Sequence, residues 1–173
     1  MNTNRRAAIA TLAWTLVLSG TAFSQRTPVP PPQGFHLVVL LADNKPGEAV
    51  EGLPAGVNKA LTDVRELLPF KSYRVLDTVL LRGSGPGTVR VAGAAGREYT
   101  AELRCGQMGQ SLHITFWLKD YPSPETRPPV LTARFEMAPG ETVVVGTSRV
   151  KGTEQALVLL LTALTGAEAK SQR

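Results

Sequence analysis

The chain has 173 residues, 43% hydrophobic, 19% charged and 6% aromatic, the profile of an ordinary globular protein and not of a disordered or collagen-like one. Nineteen Lys and Arg stand against fourteen Asp and Glu, a formal charge of +5. One cysteine excludes an internal disulfide and any multi-cysteine zinc site, and two histidines leave little material for metal or acid–base chemistry.

Residues 1–24 read as a signal peptide. Arg5 and Arg6 form a short basic region, and the apolar run Ala7–Leu18 has the length of a signal-peptide core. Ala22 and Ser24 are the small residues that a cut before Gln25 requires. An uncleaved anchor is the alternative, but the apolar run is shorter than the roughly 20 residues a membrane span needs. The expectation is a periplasmic or secreted protein with no stable membrane span after cleavage. The segment carries two arginines and no acid, so seventeen basic and fourteen acidic residues remain, a formal charge of +3. Nucleic-acid binding needs a basic stripe over many phosphates, and so small a surplus argues against it.

Gln25–Gly34 is proline-rich and reads as a semi-rigid spacer. A single domain is expected over 35–166, with a polar tail over 167–173. Phe35–Ala42 is a nearly continuous apolar run of strand length, suited to burial on both faces. Asp43–Gly52 is polar and rich in turn formers. Pro54–Leu68 reads as an amphipathic helix: Val57, Leu61, Val64, Leu67 and Leu68 form one stripe, and Pro69 ends it.

Beyond Pro69 the period changes to two. Strands are expected at Ser72–Arg82, Thr88–Ala92, Glu98–Cys105, Ser111–Lys119, Val130–Met137 and Glu141–Thr147, with turns at Gly83–Gly87, Gly93–Gly96, Gly106–Gln110 and Pro139-Gly140. Tyr121–Pro129 holds four prolines and reads as a loop. In Ser111–Lys119 the residues Leu112, Ile114, Phe116 and Leu118 face in, while His113, Thr115 and Trp117 face out. Ala156–Leu164 is apolar all round and short; after the turn-like Ser148–Thr153 it reads as a buried strand. The expected fold is α+β: an antiparallel sheet of about eight strands, with one amphipathic helix packed on one face.

No catalytic, cofactor-binding or metal-binding residue emerges from these patterns. Gly83–Gly87 lacks the lysine and following helix of a phosphate-binding loop, so it reads as a hairpin turn. Cys105 falls on an inward face, where a free thiol behaves as a small hydrophobe. His36 and His113 lie far apart on strands, without metal-ligand spacing. Asp63 and Glu66 sit on the polar side of the helix. The one feature of interest is a surface: Trp117 and His113 flank Thr115 on an outward face, and outward-facing Arg104 and Arg134 come from strands that could be neighbours. A tryptophan ringed by arginines has the composition of an interface hot spot. The competing reading covers Trp117 with the Tyr121–Pro129 loop or a second layer.

Two stretches, Leu53–Leu81 and Glu141–Ala163, resemble a group of small, uncharacterised exported bacterial proteins, through Leu68–Tyr73 (Leu-Pro-Phe-Lys-Ser-Tyr) and Val143–Gly146 (Val-Val-Val-Gly). The second motif also resembles a hairpin of secretin pore subunits, but this chain lacks the second glycine and the loop that follows it there. The resemblance implies export and domain type and brings no catalytic residue. The expected function is a non-enzymatic binding or assembly module of the envelope with a protein partner and no cofactor. The alternatives are a structural subunit of an envelope or secretion assembly, pairing through strand edges, and an enzyme whose pocket would draw on His113, Asp77 or Glu102.

Overall fold

The computed structural model describes residues 34–47, 53–82, 86–124 and 126–165. The expected signal peptide, most of the spacer, the core of the Gly83–Gly87 turn and the polar tail lie outside these residues. The elements are β1 (Gly34–Asp43), α1 (Ala55–Arg65), β2 (Ser72–Arg82), β3 (Gly87–Ala92), a short 3-10 turn (Ala94–Gly96), β4 (Glu98–Met108), β5 (Ser111–Tyr121), β6 (Leu131–Met137), β7 (Thr142–Arg149) and β8 (Ala156–Leu164). Gly34, expected in the spacer, is the first residue of β1. The ambiguous run Ala156–Leu164 is a strand.

The eight strands do not form one sheet. They make two antiparallel sheets of four, ordered β2-β1-β8-β7 and β3-β4-β5-β6. The reason lies in β1 and β8, which are buried along almost their whole length. An eleven-residue helix is only about 16 Å long and covers part of one face, so the other face of these strands needs a second layer. That layer is β3-β4-β5-β6. Phe35, Leu37 and Val39 of β1 and Leu157, Leu159 and Leu161 of β8 meet Ala101 and Leu103 of β4 and Leu112, Ile114, Phe116 and Leu118 of β5. The alternate residues Val38, Leu40, Val158 and Leu160 point the other way and pack under Val57 and Leu61 of α1. The layers therefore run helix, covered sheet, exposed sheet.

The strands keep chain order around the two sheets. β2 lies beside β3 and β6 beside β7, and β1 closes the sequence by pairing with β8, Gly34 opposite Leu164 and Ala42 opposite Ala156. At the first seam the Asp77 carboxylate accepts the Ala92 N–H at 2.7 Å, a bond between the sheets made by a side chain.

α1 is shorter than its apolar spacing predicts. Pro54 stands at the N-cap with an extended ψ of 144°, and its carbonyl accepts the Asn58 N–H at 2.9 Å. After Arg65 the chain turns: the N–H groups of Leu67 and Leu68 both bond the Val64 carbonyl. Leaving the helical period throws Leu67 outward, 81% exposed, so it is not part of the buried stripe. The helix also sits close on β7, since a Cβ on Gly56 would lie 2.8 Å from Thr142 Oγ1.

β4 runs three residues past its expected end. Gly106 stays in the ladder opposite His113, and the turn is only Gly109-Gln110, with Gly109 at a φ of +64° that suits glycine.

Candidate functional site

The two-residue turn fixes the register of β4 on β5. Counting back from Met108 opposite Ser111, it places Arg104 opposite Thr115 and Glu102 opposite Trp117. On the other flank β6 places Glu136 opposite His113, Arg134 opposite Thr115 and Thr132 opposite Trp117. The four residues singled out from the sequence are thus brought together. Arg104, Thr115 and Arg134 form a row across three strands, and His113 and Trp117 stand on either side of that row along β5. All point away from the sandwich core, because the intervening Ile114, Phe116 and Leu118 are buried in it.

Side-chain contacts organise this face. The Arg104 guanidinium lies 5.3 Å from the centre of the Trp117 ring, and Arg90 of β3 lies 4.0 Å from that of Tyr121, both within the range of cation–π attraction. Lys119 Nζ donates to Glu102 Oε1 at 2.7 Å, diagonal to Trp117. His113 Nδ1 is 3.4 Å from Glu136 Oε1, with both side chains substantially exposed. Gly106 leaves open space beside His113, with nothing within 4 Å of where its Cβ would be. Trp117 itself is half-buried. The second layer lies on the opposite side of its sheet, so it does not cover the ring.

The remaining chemistry-bearing residues lie elsewhere. His36 is on the helix side of the covered sheet, between Leu80 and Thr162, 8% exposed. Burial holds its imidazole pKa below the ordinary value of 6.5. The two histidines therefore sit on different sheets and different faces. Cys105 is half-buried against the sandwich core, and burial pushes its thiol pKa up, the opposite of what an activated thiolate needs. Asp77 is engaged at the seam, accepting from the N–H groups of Thr78 and Ala92. Glu102 is held by Lys119. Among the described residues no three of His, Cys, Asp and Glu gather where they could hold a metal ion.

A cleft of about 430 Å³ opens at one end of the covered sheet, between Phe70 after the helix and Thr147, Arg149 and Glu154 around the β7–β8 turn. None of His113, Asp77 and Glu102 lines it. The Tyr73 hydroxyl, under α1, is buried with no hydrogen-bond partner among the described residues, and that burial raises its pKa.

Sequence reasoning missed the members of the face that depend on register: Arg90 with Tyr121, Glu102 with Lys119, and Glu136 with His113. For Glu102 the signal was present in the turn; Arg90 and Glu136 depend on the β3–β4 and β5–β6 registers, which that turn does not set. Reading Gly109-Gln110 as a two-residue hairpin connection would have aligned β4 on β5 residue by residue; a five-residue turn from Gly106 to Gln110 leaves the register open. No family model, no curated protein and no solved structure matches this chain.

Proposed function

We propose that the chain is an exported, non-enzymatic binding module of the bacterial envelope, and that it engages a protein partner through the outer face of β3-β4-β5-β6. One observation carries the reading: Trp117 stands half-buried on the outer face of β5, next to the row of Arg104, Thr115 and Arg134, on the side away from the hydrophobic core. Tryptophan and arginine dominate the energetics of protein interfaces, and a ladder of strands holds them without paying further ordering entropy. Strand-edge assembly has less support, because β2 sits beside β3 and β6 beside β7.

The test uses a convenience of composition. The other tryptophan is Trp14, so in a chain beginning at Gln25 the tryptophan fluorescence, excited at about 295 nm where tyrosine hardly absorbs, comes from Trp117 alone. Envelope proteins crosslinked through a photoreactive side chain at Thr132, the neighbour of Trp117, should give a discrete adduct. The adduct should disappear in Trp117→Ala while the melting temperature changes little. An adduct indifferent to Trp117→Ala would reject this face as the binding surface.

A further inference from the structure

The charges on this face are not all free, and the pattern of engagement says what the partner must carry. Glu102 is bound by Lys119, and Glu136 lies 3.4 Å from His113. Arg90 is stacked on Tyr121. Arg104 lies over the Trp117 ring, is exposed, and has no hydrogen-bond or ion-pair partner among the described residues. Arg134 is exposed and has no partner among the described residues. Two uncommitted guanidinium groups therefore flank Thr115. Their Cα atoms lie two strands apart, about 10 Å at ordinary strand spacing.

We infer that this pair receives the carboxylates of an acidic, mixed-sequence polypeptide segment; the inference rests on the face being the binding surface. Guanidinium groups recognise carboxylates through paired, charge-assisted hydrogen bonds. Acidic side chains about 7–10 Å apart, two or three residues along an extended segment, match the separation of the two arginines. The partner is a polypeptide and not a uniform polyanion because Glu98 and Glu136 stand on the same face, beside the ion-paired Glu102. These acids repel an unbroken row of negative charge, whether phosphates or uronic acids. A segment that alternates acidic residues with apolar ones satisfies the arginines and Trp117 and keeps its charges apart from the glutamates.

The experiment titrates the chain beginning at Gln25, reading Trp117 emission, with four probes: a peptide of repeated Glu-Ser-Glu-Leu, the same peptide with Lys for Glu, polygalacturonate, and a single-stranded oligonucleotide. The acidic peptide should bind, weaken with added salt, and bind about tenfold less tightly to the Arg104→Ala/Arg134→Ala double variant. Both arginines are exposed and the double variant loses only the Arg104–Trp117 contact, so it should be destabilised no more than Trp117→Ala and should stay folded. Equal binding of the Glu and Lys peptides, or unchanged affinity in the double variant, overturns the inference. Tighter binding of polygalacturonate or the oligonucleotide overturns the choice of polypeptide. The Thr132 crosslink separates the two levels. An adduct lost in Trp117→Ala but kept in the double variant leaves the face standing and removes the acidic partner. Absence of both the adduct and peptide binding removes both.

Discussion

The two sheets are built from the same number of strands but answer to different environments. The covered sheet lies between α1 and the sandwich core, and its central strands β1 and β8 are apolar at nearly every position. The exposed sheet has one buried face, and β5 alternates without a break from Ser111 to Leu118. A strand's side chains point to opposite faces at every step, so the number of faces to be covered is written into its hydrophobic pattern. The sheet with a free polar face is also the sheet that carries the candidate site.

Substitution of neighbouring residues is the sharpest way to test that contrast. On β1, Leu37→Ala opens the sandwich core and Leu40→Ala opens the helix layer. Each should cost about 2–5 kcal/mol in urea unfolding. On β5 the same step should be lopsided: Phe116→Ala should lose about 3–5 kcal/mol, and Thr115→Ala less than about 0.5 kcal/mol. Comparable losses at Thr115 and Phe116 would break the distinction between the sheets.

A pH dependence should come from the covered sheet as well. The folded-state pKa of His36 lies below 6.5, so below that pH the unfolded chain binds more protons than the folded one. Stability present above pH 6.5 should therefore fall as the pH drops toward the folded-state value. His36→Leu should flatten this part of the profile. The Asp43 carboxyl, held down by the Gln155 side-chain hydrogen bond, acts in a separate window. Its contribution is present above its ordinary value of 3.8 and is lost as the pH falls below it. A profile between pH 5 and 6.5 that is identical with and without His36 would contradict its burial as a neutral ring.

The exposed face should respond least. Trp117→Ala should cost about 1 kcal/mol, the scale of a cation–π contact and a half-buried ring, against the much larger loss at Phe116 next to it. Lys119→Ala, which removes the ion pair to Glu102, should change stability by less than about 1 kcal/mol. Guanidinium-independent urea melts at low and moderate salt would resolve the two.

Local pattern was legible in the sequence and long-range partnership was not. The alternation of Leu112, Ile114, Phe116 and Leu118 placed Trp117 and His113 outward, and the structure puts them there. The continuous apolar character of Phe35–Ala42 and Ala156–Leu164 declared burial on both faces. It did not declare that these strands pair with each other, because nothing local links residue 35 to residue 163. The division into two sheets followed from that hidden pairing. Leu67 was misplaced for a different reason: its spacing suits a helix, but the chain leaves helical geometry after Arg65, and periodicity is blind to where an element stops. Arg104 and Arg134 were named from outward alternation alone. The two-residue turn sets Arg104 opposite Thr115, whereas Arg134 is set by the pairing of β6 on β5 across the proline-rich loop, which no local pattern declares.

The pairing of β1 with β8 has a consequence for the life of the chain before it is finished. Phe35–Leu41 emerges early from synthesis and β2 soon follows to pair one edge, yet the strand on its other edge is the last to arrive. Until Ala156–Leu164 is available, one of the greasiest stretches of the protein has a vacant edge, a hazard for clumping and an opening for a chaperone. A polypeptide cut short before Ala156 can pair β1 with β2 on one side only, and its other edge stays bare.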